Sequence, residues 1–176
     1  MSCRRLTRDR ELLECQTGGA IARFSSLRIM PIELSRVCCD RDPVPSVQRA
    51  AIKRLLSEGA DLHATDKNGV TALHHAVRFR SPAAVETLVD AGANVNQACK
   101  RSGGTPLHRA VTPTGAPGTA GRREQTIEVI RILLRNGADP NIKNRLGKTP
   151  GDYVKDNEIL EILRAGTGQP DNNLHP

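Results

Sequence analysis

The chain has 176 residues, 38% of them hydrophobic, with one Tyr, two Phe and no Trp, which suits one domain of thin Ala/Leu layers better than a broad globular core. Its formal net charge of +7 divides into +3 on residues 1–29 and +4 on residues 30–176, and so modest an excess with so few aromatics argues against nucleic-acid binding. No apolar run reaches membrane-spanning length, and Cys3, Cys15, Cys38, Cys39 and Cys99 form neither an even disulfide set nor a metal spacing, so reduced thiols and a cytoplasmic location are expected.

Residues 1–29 mix Arg4, Arg5, Arg8 and Arg10 with Asp9, Glu11 and Glu14 and lack a sustained apolar stretch, unlike a secretory signal. They share no pattern with the rest of the chain and are expected to be disordered or to precede a native start at Met30. From there the chain reads as four copies of one unit, at about 30–65, 66–99, 100–143 and 144–166, with 167–176 as a tail.

The first copy ends on Leu55-Leu56-Ser57-Glu58-Gly59-Ala60-Asp61, after apolar residues at helical spacing, Val47, Ala51 and Leu55. Its earlier part, Ile32-Glu33-Leu34-Ser35-Arg36-Val37, reads as a degenerate cap with one face toward water. The segment from Asp40 to Pro45 lengthens the turn between its two helices. The second copy opens with Thr71-Ala72-Leu73-His74, carries Ala84, Val85, Leu88 and Val89, and closes on Gly92-Ala93-Asn94, 33 residues after Gly59. The third opens with Thr105-Pro106-Leu107-His108, carries Ile127, Ile130, Leu133 and Leu134, and closes on Gly137-Ala138-Asp139. Between its helices lies a low-complexity insertion at about 112–123, rich in Pro, Gly and Thr, which is expected to be a mobile loop. The fourth opens with Thr149-Pro150-Gly151-Asp152 and closes on Ile159-Leu160-Glu161-Ile162-Leu163-Arg164-Ala165-Gly166.

Each mark has a mechanical reason. Thr caps a first helix and Pro fits its first turn, where no intrahelical donor is needed. Gly59, Gly92 and Gly137 come after the second helix, where the chain must turn left-handed. Gly151 replaces a core leucine, a loss worth about 2–5 kcal/mol in a packed layer, so the C-terminal end should fray first. Asp152 stands in place of His as a polar cap.

This double signature resembles the ankyrin repeat, whose T-P-L-H-x-A pattern is matched best by residues 105–110. The resemblance implies an all-α solenoid of stacked helix-turn-helix units joined by short β-hairpin-like loops. It also implies that His74 and His108 brace neighbouring repeats by hydrogen bonds. In that family the partner is held by hairpin tips and the exposed side of the first helices. The corresponding positions here are Lys67, Asn68, Val70, Arg78 and Phe79, then Arg101, Ser102 and Gly104, then Arg145, Leu146 and Lys148. Phe79 reads equally as an interface anchor or as packing against the next copy.

Chemistry of other kinds finds little support. His74 and His75 have no Glu in metalloprotease spacing, adjacent Cys38 and Cys39 lack a thiol-disulfide spacing, and neither a Ser-His-Asp order nor a phosphate loop is present. No catalytic residue, cofactor or metal is expected. The expected function is a non-enzymatic, monomeric module binding a partner protein. Lys67, Arg101 and Arg145 occupy equivalent hairpin positions, which would align them as a basic ladder suited to an acidic protein surface. The alternatives are a regulator or inhibitor subunit of an enzyme, or a nucleic-acid-associated factor using that ladder.

Overall fold

The computed structural model describes residues 32–39, 44–112 and 121–166. Seven α-helices and one 3-10 turn occupy them: α1 (Ile32–Cys38), α2 (Pro45–Ser57), α3 (Ala72–Arg78), α4 (Pro82–Asp90), α5 (Pro106–Val111), α6 (Arg123–Arg135), the turn Pro150–Tyr153 and α7 (Asn157–Gly166). Among the described residues there is no strand. The segments 1–31, 40–43, 113–120 and 167–176 lie outside them, as do the expectations placed there: the native start, most of the lengthened turn from Asp40 to Pro45 and most of the inserted loop. Thr112 and Gly121 are described, and α6 begins at Arg123, inside the span expected to be loop.

The helices pair in sequence and stack in two layers. α1, α3, α5 and the 3-10 turn line up in one layer, and α2, α4, α6 and α7 in the other, with α1 against α2, α3 against α4 and α5 against α6. Burial reflects this stacking. Leu73 and Leu107 in the first layer, and Leu88, Ile130 and Leu133 in the second, are fully or almost fully buried. Each layer shields apolar surface that its neighbour would otherwise expose, at roughly 25 cal/mol per Å². Gly59, Gly92 and Gly137 turn left-handed at φ +91°, +94° and +83°, as their place after α2, α4 and α6 requires.

One helix face departs from expectation. In α2 the buried positions are Gln48 and Ile52, while Val47 is 65% exposed. The apolar spacing of Val47, Ala51 and Leu55 is therefore offset by one residue from the face that packs. A polar bridge explains the register. Gln48 Nε2 donates to the Val37 carbonyl at 3.0 Å, and Ser81 Oγ donates to Gln48 Oε1 at 2.6 Å. One buried amide thus ties α1, α2 and the start of α4, where an apolar count sees only a polar residue.

Candidate partner-binding face

The loops leading into the first-layer helices are built on one plan. In residues 66–71, Asp66 Oδ1 accepts from the backbone N–H of Asn68 at 2.8 Å and of Val70 at 2.9 Å, and Asp66 N–H donates to the Val70 carbonyl at 3.0 Å. In residues 144–149, Asn144 Oδ1 does the same for Leu146 at 2.9 Å and Lys148 at 3.2 Å. In residues 99–105, Cys99 cannot play that part, and Ser102 Oγ takes it over by accepting from Gly104 N–H at 3.2 Å. Each loop closes through a glycine at positive φ: Gly69 at +72°, Gly103 at +68° and Gly147 at +71°.

Successive loops touch through their backbones. Arg101 N–H donates to the Asn68 carbonyl at 3.3 Å, and Arg145 N–H to the Ser102 carbonyl at 3.0 Å. A Cβ on Gly69 would sit 2.6 Å from the Lys100 nitrogen, and one on Gly103 2.9 Å from that of Arg145. Lys67, Arg101 and Arg145 each stand two residues before one of these glycines, and all three are exposed. The equivalence read from sequence is thus a physical adjacency.

Below the tips, threonine and histidine lock each loop to its helix and to the next repeat. Thr71 N–H donates to His74 Nδ1 at 3.3 Å, and His74 N–H donates to Thr71 Oγ1 at 3.4 Å. Because Nδ1 accepts a backbone proton, the ring proton sits on Nε2, which donates to the Gly104 carbonyl at 3.4 Å. Thr105 and His108 repeat this, with Nδ1 accepting at 3.2 Å and Nε2 donating to the Lys148 carbonyl at 3.0 Å. In the last copy Asp152 keeps only the local half. Its Oδ2 accepts from Thr149 N–H at 2.7 Å and from Thr149 Oγ1 at 3.0 Å, with nothing beyond it to brace among the described residues. The Thr149 backbone and hydroxyl hold that carboxyl below its usual range. Burial, with Arg109 nearby, pushes the His74 imidazole down to about 4, against the lifting effect of the Gly104 carbonyl.

The expected contact residues divide by exposure into three groups. Lys67, Arg101, Arg145, Leu146 and Lys148 are exposed, Leu146 at 77%, while Asn68, Arg78 and Phe79 are half-buried. Phe79 ends α3, donating its N–H to the His75 carbonyl at 3.0 Å, and lies outside the main apolar cluster. Val70 is only 5% exposed, so its side of the loop faces inward and offers no surface; Gly104 is buried at the floor of a groove described below, and Ser102, exposed at the tip, spends its hydroxyl on the loop itself.

Two residues that the sequence pattern did not single out join this face. Arg109 and Tyr153 line a groove of about 380 Å³ together with Arg101, Arg145 and Leu146. The Lys148 ammonium lies 5.5 Å from the centre of the Tyr153 ring, whose hydroxyl accepts from Asn144 Nδ2 at 2.8 Å. Arg109 fills the open position of T-P-L-H-x-A, where the pattern sets no residue type, so the framework gave no hint of it.

The remaining reactive groups point elsewhere. Cys38 is buried, which, with Cys39 beside it, pushes its thiol up to about 12. Cys39 is half-buried, with Sγ 3.4 Å from His75 Nδ1, so the adjacent thiols do face different sides. Among the described residues no group of three or more His, Cys, Asp or Glu side chains is placed to hold a metal ion. Among the described residues, no helix is long and apolar enough to cross a membrane.

Comparison with known proteins places this geometry. The family model described as "Ankyrin repeats (3 copies)" matches residues 46–144. The B-cell lymphoma 3 protein homolog of Mus musculus is 35% identical over 170 residues, 94% of this chain and 33% of that protein. The Neurogenic locus Notch protein of Drosophila melanogaster is 43% identical over 103 residues, 56% of this chain and 3% of that protein. Among solved structures, the ankyrin repeat domain of Bcl-3, described as a unique member of the IkappaB protein family, aligns with a TM-score of 0.56 at 34% identity. That alignment covers 68% of this chain and 47% of that one. The chain thus spans about a third of the length of its B-cell lymphoma 3 relatives.

Proposed function

The chain belongs to the ankyrin-repeat family, and from that premise we propose that it grips a partner protein with the concave side of its first-helix layer and the edge formed by its loop tips. Ankyrin repeats generally mediate protein–protein interaction, and the fold is typically a non-enzymatic module. One observation carries the reading: Lys67, Arg101 and Arg145 are exposed on consecutive loops joined backbone to backbone. Cations aligned on a rigid edge attract and orient an acidic surface. Asn68, Arg78, Phe79, Ser102, Leu146 and Lys148 flank them and complete the contact. In this reading residues 30–166 form the interaction domain, with copies at about 30–65, 66–99, 100–143 and 144–166. A solenoid of this length presents a standard interface of roughly 800 Å².

Affinity capture from native cells tests the proposal, using wild type beside the triple variant Lys67→Glu, Arg101→Glu, Arg145→Glu. The partner should be lost from the variant. Capture at full strength by both proteins rejects the charged edge.

A further inference from the structure

We propose that the groove between the loops 99–105 and 144–149 is a phosphate site: it receives a phosphorylated side chain of an extended segment of the partner protein, held by Arg101, Arg109 and Arg145. The next residue of that segment, an apolar one, rests against Leu146 and Tyr153. This deepens the partner-binding reading above and rests on it.

Three observations converge on that groove. Its lining includes three guanidinium groups and no carboxylate. Three guanidiniums outside the groove are matched by carboxylates, Arg49 with Glu86 at 2.8 Å, Arg54 with Glu58 at 2.7 Å, and Arg123 with Asp156 at 2.8 Å and Glu158 at 2.6 Å. Among the described residues, Arg101, Arg109 and Arg145 make no such pair. A hollow lined by three cations and no carboxylate draws anions toward it. Finally, Leu146 is 77% exposed and Tyr153 half-buried beside them, an apolar wall next to the charge.

The chemistry selects the ligand. A phosphate monoester carries close to two negative charges at neutral pH and three strong acceptor oxygens, enough to engage three guanidinium forks; a carboxylate has one charge and two oxygens. Nucleic-acid phosphates are diesters with a single charge, and binding them without base readout calls for stacking platforms. Tyr153 is the one aromatic ring of a Phe, Tyr or Trp lining the groove, too few to stack successive bases. A phosphorylated protein segment fits these facts better than a nucleic-acid strand does.

The test uses fluorescence anisotropy with the full chain at fixed salt. The probes are fluorescein-labelled degenerate peptides with a central phosphoserine followed by leucine, and the same library with serine. The phosphoserine library should bind at least about tenfold more tightly, and that preference should shrink below about pH 6, where the phosphate takes up its second proton. Arg109→Gln should erase the preference. Arg101→Gln, at an exposed loop tip, should do so in part and serves if the first variant does not fold. Equal binding of the two libraries overturns the proposal, as does a preference that survives both substitutions. Tighter binding by a single-stranded RNA oligomer that displaces the peptide overturns it in favour of a nucleic-acid face. If the peptides show no preference while the charge-reversed triple variant still loses its captured partner, the phosphate site falls and the partner-binding reading stands.

Discussion

His108 donates from Nε2 to the carbonyl oxygen of Lys148 at 3.0 Å, across a sequence separation of 40 residues. The same imidazole accepts the Thr105 N–H on its other nitrogen, so one side chain serves a helix cap and an inter-repeat brace at once. His108→Ala should leave both backbone groups without their partner, at a cost of about 1–3 kcal/mol. Asp152→Ala, which removes only the local half of the device, should cost less. Urea denaturation of both variants measures the difference, and equal losses would deny the brace its role.

His74 supplies a pH dependence with a definite sign. Its folded imidazole titrates at about 4, whereas an unfolded histidine takes up a proton near 6.5. The unfolded chain therefore binds this proton first as pH falls. Stability should be full above about pH 6.5, decline progressively toward pH 4, and lose at most about 3 kcal/mol from this group. His75, lowered chiefly by burial, acts in the same direction. Asp66, Asp152 and Asp156 are all held below the usual carboxylate range, so their loss of stability belongs to lower pH. Melting curves from pH 7 to 4.5 should show a flatter slope for His74→Gln than for wild type, and parallel slopes would contradict the assignment.

Gly92 and Gly103 separate backbone conformation from loop contact. Both have positive φ, but a Cβ on Gly92 meets nothing within 4 Å, whereas one on Gly103 comes within 2.9 Å of the Arg145 nitrogen. Gly92→Ala should cost about 1 kcal/mol for the left-handed backbone, and Gly103→Ala about 1–3 kcal/mol more. Thermal melts of the pair decide it. A Gly103 variant no worse than the Gly92 variant would mean that the loops do not stack closely.

The last repeat offers a gain of stability. Gly151 does not need positive φ, and a Cβ there would make ordinary contact with Leu160 Cδ1 at 3.7 Å and Thr149 Oγ1 at 3.8 Å. Gly151→Ala should raise stability by about 0.4–1 kcal/mol, chiefly by reducing the freedom of the unfolded chain. A lowered melting temperature would show that the 3-10 turn at Pro150–Tyr153 depends on glycine.

Most of the fold was legible because its marks are local. Thr105-Pro106 starts a helix and Gly137 ends one by rules that act within a turn, and Ala84, Val85 and Leu88 declare their face by spacing alone. What escaped depends on distant neighbours. Gln48 is buried because Val37 and Ser81 satisfy its amide, a pairing that the helix containing Gln48 does not announce. Val70 turns inward because the loop closes on Asp66, and Arg109 joins the face because the fourth repeat brings Arg145 and Tyr153 to it. The ladder of cations was readable from register, whereas the groove that it borders needed the third dimension.

Hydrogen–deuterium exchange on the chain with and without its captured partner is the most direct test of where binding occurs. The account predicts added protection in the loops 66–71, 99–105 and 144–149 and along α5, with little change in α4 and α6. Protection confined to α4 and α6, with those loops exchanging as in the free chain, would contradict it.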